Sequence, residues 1–230
     1  EPAALAAKRA TGTIPIVVLA LGDPVGIGLV PSLAKPGGNV TGVSFISSDL
    51  TSKRLQFALE CVPKARRLAV LWDVRNTNSR AEARAVQDAA RSRGIDVALL
   101  TARTDQEFAR RLDGVARERP DLLYVTFEGG LVAANRTRIA ELGLRERIPV
   151  VSGWHALTEA GALMSYAPDI AAMFRRAAYH VDRILKGARP GDLPIELPTK
   201  VDLVLNQRTA IALGVRFPQD MLTRAERVIA

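Results

Sequence analysis

From residue 50 onward the chain alternates short, unbroken apolar runs with amphipathic helical segments, and this rhythm restricts the fold more than any other feature. The runs "RLAVLW" (67–72), "DVALL" (96–100), "LLYVT" (122–126), "PVVSG" (149–153) and "ALMSY" (162–166) lack the alternating polarity of half-exposed strands. They predict strands buried on both faces, the mark of a parallel sheet. Between them Leu55, Ala58, Leu59 and Val62 fall on one helical face, as do Phe108, Leu112, Val115 and Ala116. Each set gives a helix one side to lay on the sheet. Gly94 after "RSR" and Pro120 after "RER" stop these helices, with basic residues in the last turn where the helix dipole favours them. Strand and helix in alternation with short connections predict βαβ units and an α/β fold.

The two ends break the rhythm. "TIPIVVLA" (13–20) reads as another buried strand, but "GNVTGVS" follows only after "VGIGLVPSLAKPGG", and the alternation then starts afresh. Ile170, Met173, Phe174, Ala177, Ala178, Val181, Ile184 and Leu185 form the apolar stripe of a helix ending at Lys186-Gly187, with His180 on its polar side beside Arg176 and Arg183. "ARPGDLPIELPTK" suits an extended connector, and a strand "VDLVLN" (201–206), a short helix "QRTAIALG" and a terminal helix "MLTRAERVIA" complete the chain. Two lobes joined by crossing segments account for the interruption. The opening "EPAALAAKRATG" reads as a helix without the regions of a signal peptide, and its direct entry into a strand predicts that sequence lies upstream.

Charge excludes less than its size suggests. The net charge of +8 comes from 32 Lys and Arg against 24 Asp and Glu, but the arginines interleave with acids in "NSRAEARAVQDAARSRG" and "TDQEFARRLDGVARERP". That pattern describes solvated helix faces and not a nucleic-acid stripe, and 5% aromatic residues are too few for a base-stacking platform. No apolar run reaches a membrane span, since "IPIVVLALG" is cut by Gly22 and Asp23. Cys61 stands alone, so neither a disulfide nor a cysteine metal site forms within the chain.

Catalytic patterns are missing. "GDPVGIGLV" offers Gly26 and Gly28 but has Pro31 where a dinucleotide fingerprint needs its third glycine, and no phosphate loop follows. No nucleophile elbow, metal-ligand spacing or acid/base pair occurs, so no cofactor is expected. What the sequence does supply is a set of strand-end loops mixing small hydroxyls, aromatics, amide and carboxylate: Asp23, Ser44, Phe45, Asp73, Asn76, Phe127, Glu128, Trp154, His155, Ser165 and Tyr166. Ligands of open parallel sheets bind at carboxyl ends of strands, and this mixture suits a small polar ligand. A binding protein is therefore expected over an enzyme.

"TIPIVVLALGDPVGIGLVPSLAKPGGNVTGVSF", "KRLQFALECVPKARRLAVLWD", "EAGALMSYAPD", "ILKGARPGDLPIELPTKVDLVLN" and "TAIALGV", taken in order, resemble the ABC transporter substrate-binding proteins related to binders of tryptophan and other aromatic amino acids. The resemblance implies the class I periplasmic binding-protein fold, with two α/β lobes joined by three crossings and a ligand in the cleft between them. It implies lobe one at 1–44 and 167–198, lacking its first βα units, and lobe two at 45–166 and 199–230. An incomplete lobe one favours association into a homo-oligomer. The implied partners are a small-molecule ligand and a membrane ABC permease, with no nucleic acid, and the implied location is the periplasm. Ser44, Ser165 and backbone N–H groups would take a ligand carboxylate, Asp23, Asp73 or Glu128 an amine, and Phe45, Phe127, Trp154 or Tyr166 an apolar part. Two rival expectations are a ligand-sensing domain of a regulator and an α/β enzyme. In "PGGNVTGVSF", Asn39 and Gly42 are expected to permit the turns of a first crossing.

Overall fold

A computed structural model describes residues 2–44, 47–126 and 130–230. In chain order it runs α1 (Pro2–Ala10), β1 (Ile16–Leu21), β2 (Val40–Ser44), α2 (Ser47–Cys61), β3 (Arg67–Asp73), α3 (Thr77–Arg91) and β4 (Asp96–Ala102). Next come α4 (Asp105–Gly114), β5 (Leu122–Val125), α5 (Leu131–Ala134), α6 (Arg136–Arg145), β6 (Val150–Ser152), α7 (His155–Glu159) and β7 (Met164–Pro168). The chain closes with α8 (Ile170–Leu185), β8 (Ile195–Glu196), β9 (Val201–Asn206), α9 (Gln207–Leu213), α10 (Gln219–Arg224) and β10 (Arg227–Ile229). These elements divide into two compact units, Glu1–Ile46 with Pro168–Val201 and Ser47–Ala167 with Asp202–Ala230.

The first unit carries a three-stranded sheet in the order β1-β2-β8, parallel throughout. Val18, Leu21, Leu29, Val30, Val40 and Ile195 form its core. Gly42 has φ +139° within β2, and a Cβ there would fall 2.0 Å from the Val18 carbonyl oxygen, so only glycine lets β1 and β2 approach. The neighbouring left-handed residues are Gly37 and Gly38. Asn39 supplies no unusual turn; its Nδ2 instead donates to the Thr11 and Ile14 carbonyls, at 3.1 and 2.8 Å.

Helix α8 packs on β1 and β2 through a side the sequence does not advertise. Met173 and His180, seven residues apart, are the buried pair, whereas Phe174, Val181 and Leu185 are exposed. His180 is thus no solvent-facing residue; tertiary packing selects the face containing it over the more apolar one. The connector "ARPGDLPIELPTK" is also not wholly extended, because Pro190–Asp192 makes a 3-10 turn and Ile195–Glu196 adds β8 beside β2.

The second unit holds a seven-stranded sheet ordered β10-β9-β7-β6-β5-β3-β4. Parallel pairs run β3 with β4 and β5, β5 with β6, β6 with β7, and β9 with β10. One face buries Leu55, Ala58, Val86 and Ala90 of α2 and α3 against Leu68, Val70, Leu122 and Val151. The other packs Phe108, Leu112, Ile139 and Leu142 of α4 and α6 against Ala69, Leu71, Leu123 and Val150. Both faces are dry, which is why these strands read as unbroken apolar runs. The expected terminal helix stops at Arg224, and Arg227–Ile229 pairs instead with Val204–Asn206 as the edge strand β10.

Candidate functional site

The carboxyl ends of the second unit's strands collect its polar groups. Asp73 ends β3, Thr126 follows β5, Ser152 ends β6, and Ser165 and Tyr166 lie within β7, with Val125 opposite Ser152 and Ser152 opposite Ser165. Short β/α connections then lead into helices, so each loop begins from a fixed strand end.

Asp73 is buried at 3% exposure and its carboxylate grips Arg75, accepting from the backbone N–H at 2.8 Å and from Nη2 at 2.7 Å. Asn76 caps α3, its Oδ1 accepting from the Asn78 and Ser79 N–H groups at 3.0 and 3.1 Å. Ser79 in turn links the strands: its Oγ accepts from the Asp73 N–H at 3.2 Å and lies 2.6 Å from Thr126 Oγ1. Asp73 and Asn76 therefore share one turn, with the Asn76 amide nitrogen not used by the cap.

His155 and Ser165 meet directly. His155 Nε2 lies 3.1 Å from the Ala167 carbonyl, which can only accept, so the ring carries its hydrogen there. Nδ1 is then the acceptor, and Ser165 Oγ donates to it at 2.8 Å while accepting from Thr158 Oγ1 at 2.8 Å. Burial lowers the His155 pKa below its usual value, against smaller opposing effects from Asp202 and the Ala167 carbonyl. The imidazole is held neutral and in one tautomer. Trp154 is half-buried against the α4/α6 core, and Tyr166 stacks edge-on with Phe57, centroids 5.1 Å apart.

Beneath these loops lies a cluster that the sequence reading did not single out. Arg54, Glu82 and Tyr124 are each at most 1% exposed. Arg54 Nη1 donates to Glu82 Oε1 and to the Tyr124 hydroxyl, both at 2.5 Å, and the hydroxyl donates to Glu82 Oε1 at 2.7 Å. Burial opposes the guanidinium charge, but Tyr124 and Glu82 outweigh it and raise the Arg54 pKa; burial also drives the Tyr124 pKa far up. The available signal is helical spacing. Thr51, Arg54, Leu55 and Ala58 make one buried stripe on α2, and Ser79, Glu82, Ala83 and Val86 make the matching stripe on α3. A cation in one stripe and an anion in the next point to a buried pair. Ser152 Oγ and Trp72 Nε1 are buried as well, with no hydrogen-bond partner among the described residues.

In the first unit, Ser44 is buried and its hydroxyl donates to the Leu21 carbonyl, while exposed Asp23 closes a turn by accepting from the Gly26 N–H at 2.9 Å. A hollow of about 370 Å³ lies between the start of α8 and residues 196–200, lined by Met173, Arg176, Glu196, Leu197 and Lys200 among others. Arg176 grips Glu196 there and lowers its pKa. Phe45, Phe127 and Glu128 lie outside the described residues. Two hollows of the second unit are rich in arginine: one of about 540 Å³ at the amino ends of β3 and β4, and one of about 610 Å³ between the carboxyl end of β4 and α4. Among the described residues no group of three or more His, Cys, Asp or Glu could hold a metal ion, and no helix is long and apolar enough to cross a membrane.

Residues 1–229 match the family model described as ABC transporter substrate binding protein. A tyrosine-binding protein of Clostridioides difficile is 29% identical over 216 residues, covering 94% of this chain and 61% of that protein. The chain thus spans about three fifths of the length of this curated relative. Among solved structures, a conserved domain protein of Vibrio cholerae is 29% identical with a TM-score of 0.91, covering 99% of this chain and 75% of the other. An ABC domain of Streptococcus pneumonia in complex with L-Trp is 26% identical with a TM-score of 0.90, covering 99% of this chain and 78% of the other.

Proposed function

The chain belongs to the ABC transporter substrate-binding protein family, and from that premise we propose that it is the solute receptor of an ABC-type importer, binding an amino-acid-like ligand without chemistry on it. The observation that carries this reading is the family match over residues 1–229, and the strand-end array of hydroxyls, carboxylates and aromatics supports it. The relatives, one a tyrosine-binding protein and one solved with L-Trp, favour an aromatic amino acid as ligand.

In this reading backbone N–H groups serve the ligand carboxylate, because Ser44 and Ser165 commit their one hydroxyl hydrogen to the Leu21 carbonyl and to His155 and act only as supports of the strand ends. Asp23, Asp73 or Glu128 serves the amine, with Asn76 and His155 as polar neighbours. Phe45, Phe127, Trp154 and Tyr166 cover the ring, as apolar surface does in small-molecule sites. The ligand occupies the cleft that the family resemblance implies, the receptor works outside the cytoplasmic membrane, in the periplasm of a Gram-negative cell, and the membrane partner is an ABC permease.

A thermal-shift panel of L-tyrosine, L-tryptophan, other amino acids, small carboxylates and urea-like solutes tests this. A ligand at 100 times its Kd stabilises the folded state by about 2.7 kcal/mol, enough to raise the melting temperature visibly. The aromatic amino acids are expected to give the largest rise. A flat response across the panel overturns the amino-acid reading.

A further inference from the structure

One guanidinium touches three adjacent strand ends. Arg54 reaches from α2 to the Tyr124 hydroxyl of β5 and, through Nε, donates to the Tyr166 carbonyl of β7 at 2.9 Å. Between those strands, just past the end of β6, a Cβ on Gly153 would fall 2.7 Å from Nη2 and 2.8 Å from Cζ of Arg54. Glycine at 153 therefore lets the guanidinium lie against the backbone that leads to Trp154 and His155. Glu82 of α3 holds the far side of the fork.

Stability alone is a poor reason for this cluster. Removing two opposite charges from water consumes much of what their attraction returns, and apolar side chains of similar volume often serve a core equally well. What the cluster adds is geometry. A planar guanidinium with fixed donor directions sets the positions of the groups it binds, and a binding surface loses function when its support is loose by about 1 Å.

We propose that Arg54 is a positioning residue for ligand binding: by holding the Tyr166 carbonyl and backing Gly153, it sets where Trp154, His155 and Tyr166 stand at the carboxyl edge of the sheet. The proposal rests on the binding function given above. It assigns Arg54 no contact with ligand.

The test separates support of the fold from support of the site. Arg54→Met, Glu82→Leu and Tyr124→Phe together remove both charges and the phenol hydroxyl while keeping volume, which costs little stability when the pair is only structural. This triple variant is expected to melt close to the wild type yet bind L-tyrosine and L-tryptophan at least about tenfold more weakly, since loss of preorganisation falls on affinity. Arg54→Lys keeps the charge but lacks the fork, and is expected to fall between the two. Backbone amide exchange at residues 153–155 and 166–167, measured without ligand, is expected to quicken in both variants. Wild-type affinity in both variants, or unchanged exchange at those amides, overturns the proposal. If the triple variant does not fold, Arg54→Lys decides by the same two readouts. If wild-type protein binds neither amino acid, the binding function fails, and the exchange measurement still decides whether Arg54 positions these segments.

Discussion

His155 shows how much of one residue's behaviour its neighbours dictate. With Nε2 donating to the Ala167 carbonyl and Nδ1 accepting from Ser165, the folded protein favours the neutral ring, and burial lowers its pKa. His180 of the first unit, buried 3.6 Å from Glu196 with neither ring nitrogen hydrogen-bonded among the described residues, is shifted the same way by burial. In the unfolded chain a histidine titrates near 6.5, so below about pH 6.5 the unfolded state binds protons that the folded state refuses. Stability should therefore be full above that value and fall as pH drops toward the lowered folded pKa. Urea midpoints measured down to about pH 5 check this, and His155→Gln should make the fall smaller; an equal fall in both proteins removes His155 from the explanation. At this scale the sequence revealed residue types but not partners. His155 was legible as a strand-end residue, whereas Arg54 was visible only to a reader who set the α2 and α3 stripes side by side, because a lone arginine in "TSKRLQF" reads as helix surface.

Among the elements, the central strands of the seven-stranded sheet were the most legible, since burial on both faces leaves an apolar run with no competing interpretation. Their ends and edges were not. "MLTRAERVIA" has helical composition throughout, yet β9 offers an open edge and the Glu226 N–H reaches the Leu203 carbonyl at 2.9 Å, so the last residues pair as a strand. Pairing overrides local propensity at such an edge. Helix α8 misled differently, because its most apolar stripe lies on the exposed side, including Leu185 at 82% exposure. Asn76, a polar group just past the end of β3, also starts α3 through its Oδ1. Asn76→Ala should lower stability by about 1 kcal/mol in urea denaturation, and Asn76→Asp should retain most of it, since aspartate caps equally well. No change in the alanine variant would mean that the cap does not support α3.

At the scale of the whole molecule, the α/β class followed from rhythm, while membership of the ABC transporter substrate-binding protein family followed from phrases spread across the chain and matched by the family model over residues 1–229. The ligand does not follow from either. Residue types at strand ends suit a polar ligand, and the proposed aromatic amino acid rests on the tyrosine-binding relative and on the neighbour solved with L-Trp. As a proposed solute receptor, the protein should bind such a molecule and return it unchanged. The decisive measurement is isothermal titration of the wild-type protein with L-tyrosine and with L-tryptophan, followed by chromatographic recovery of the ligand. Saturable binding of at least one of the two is expected, with the amino acid recovered intact; no saturable heat with either, or conversion of the amino acid to a product, would overturn the proposed function.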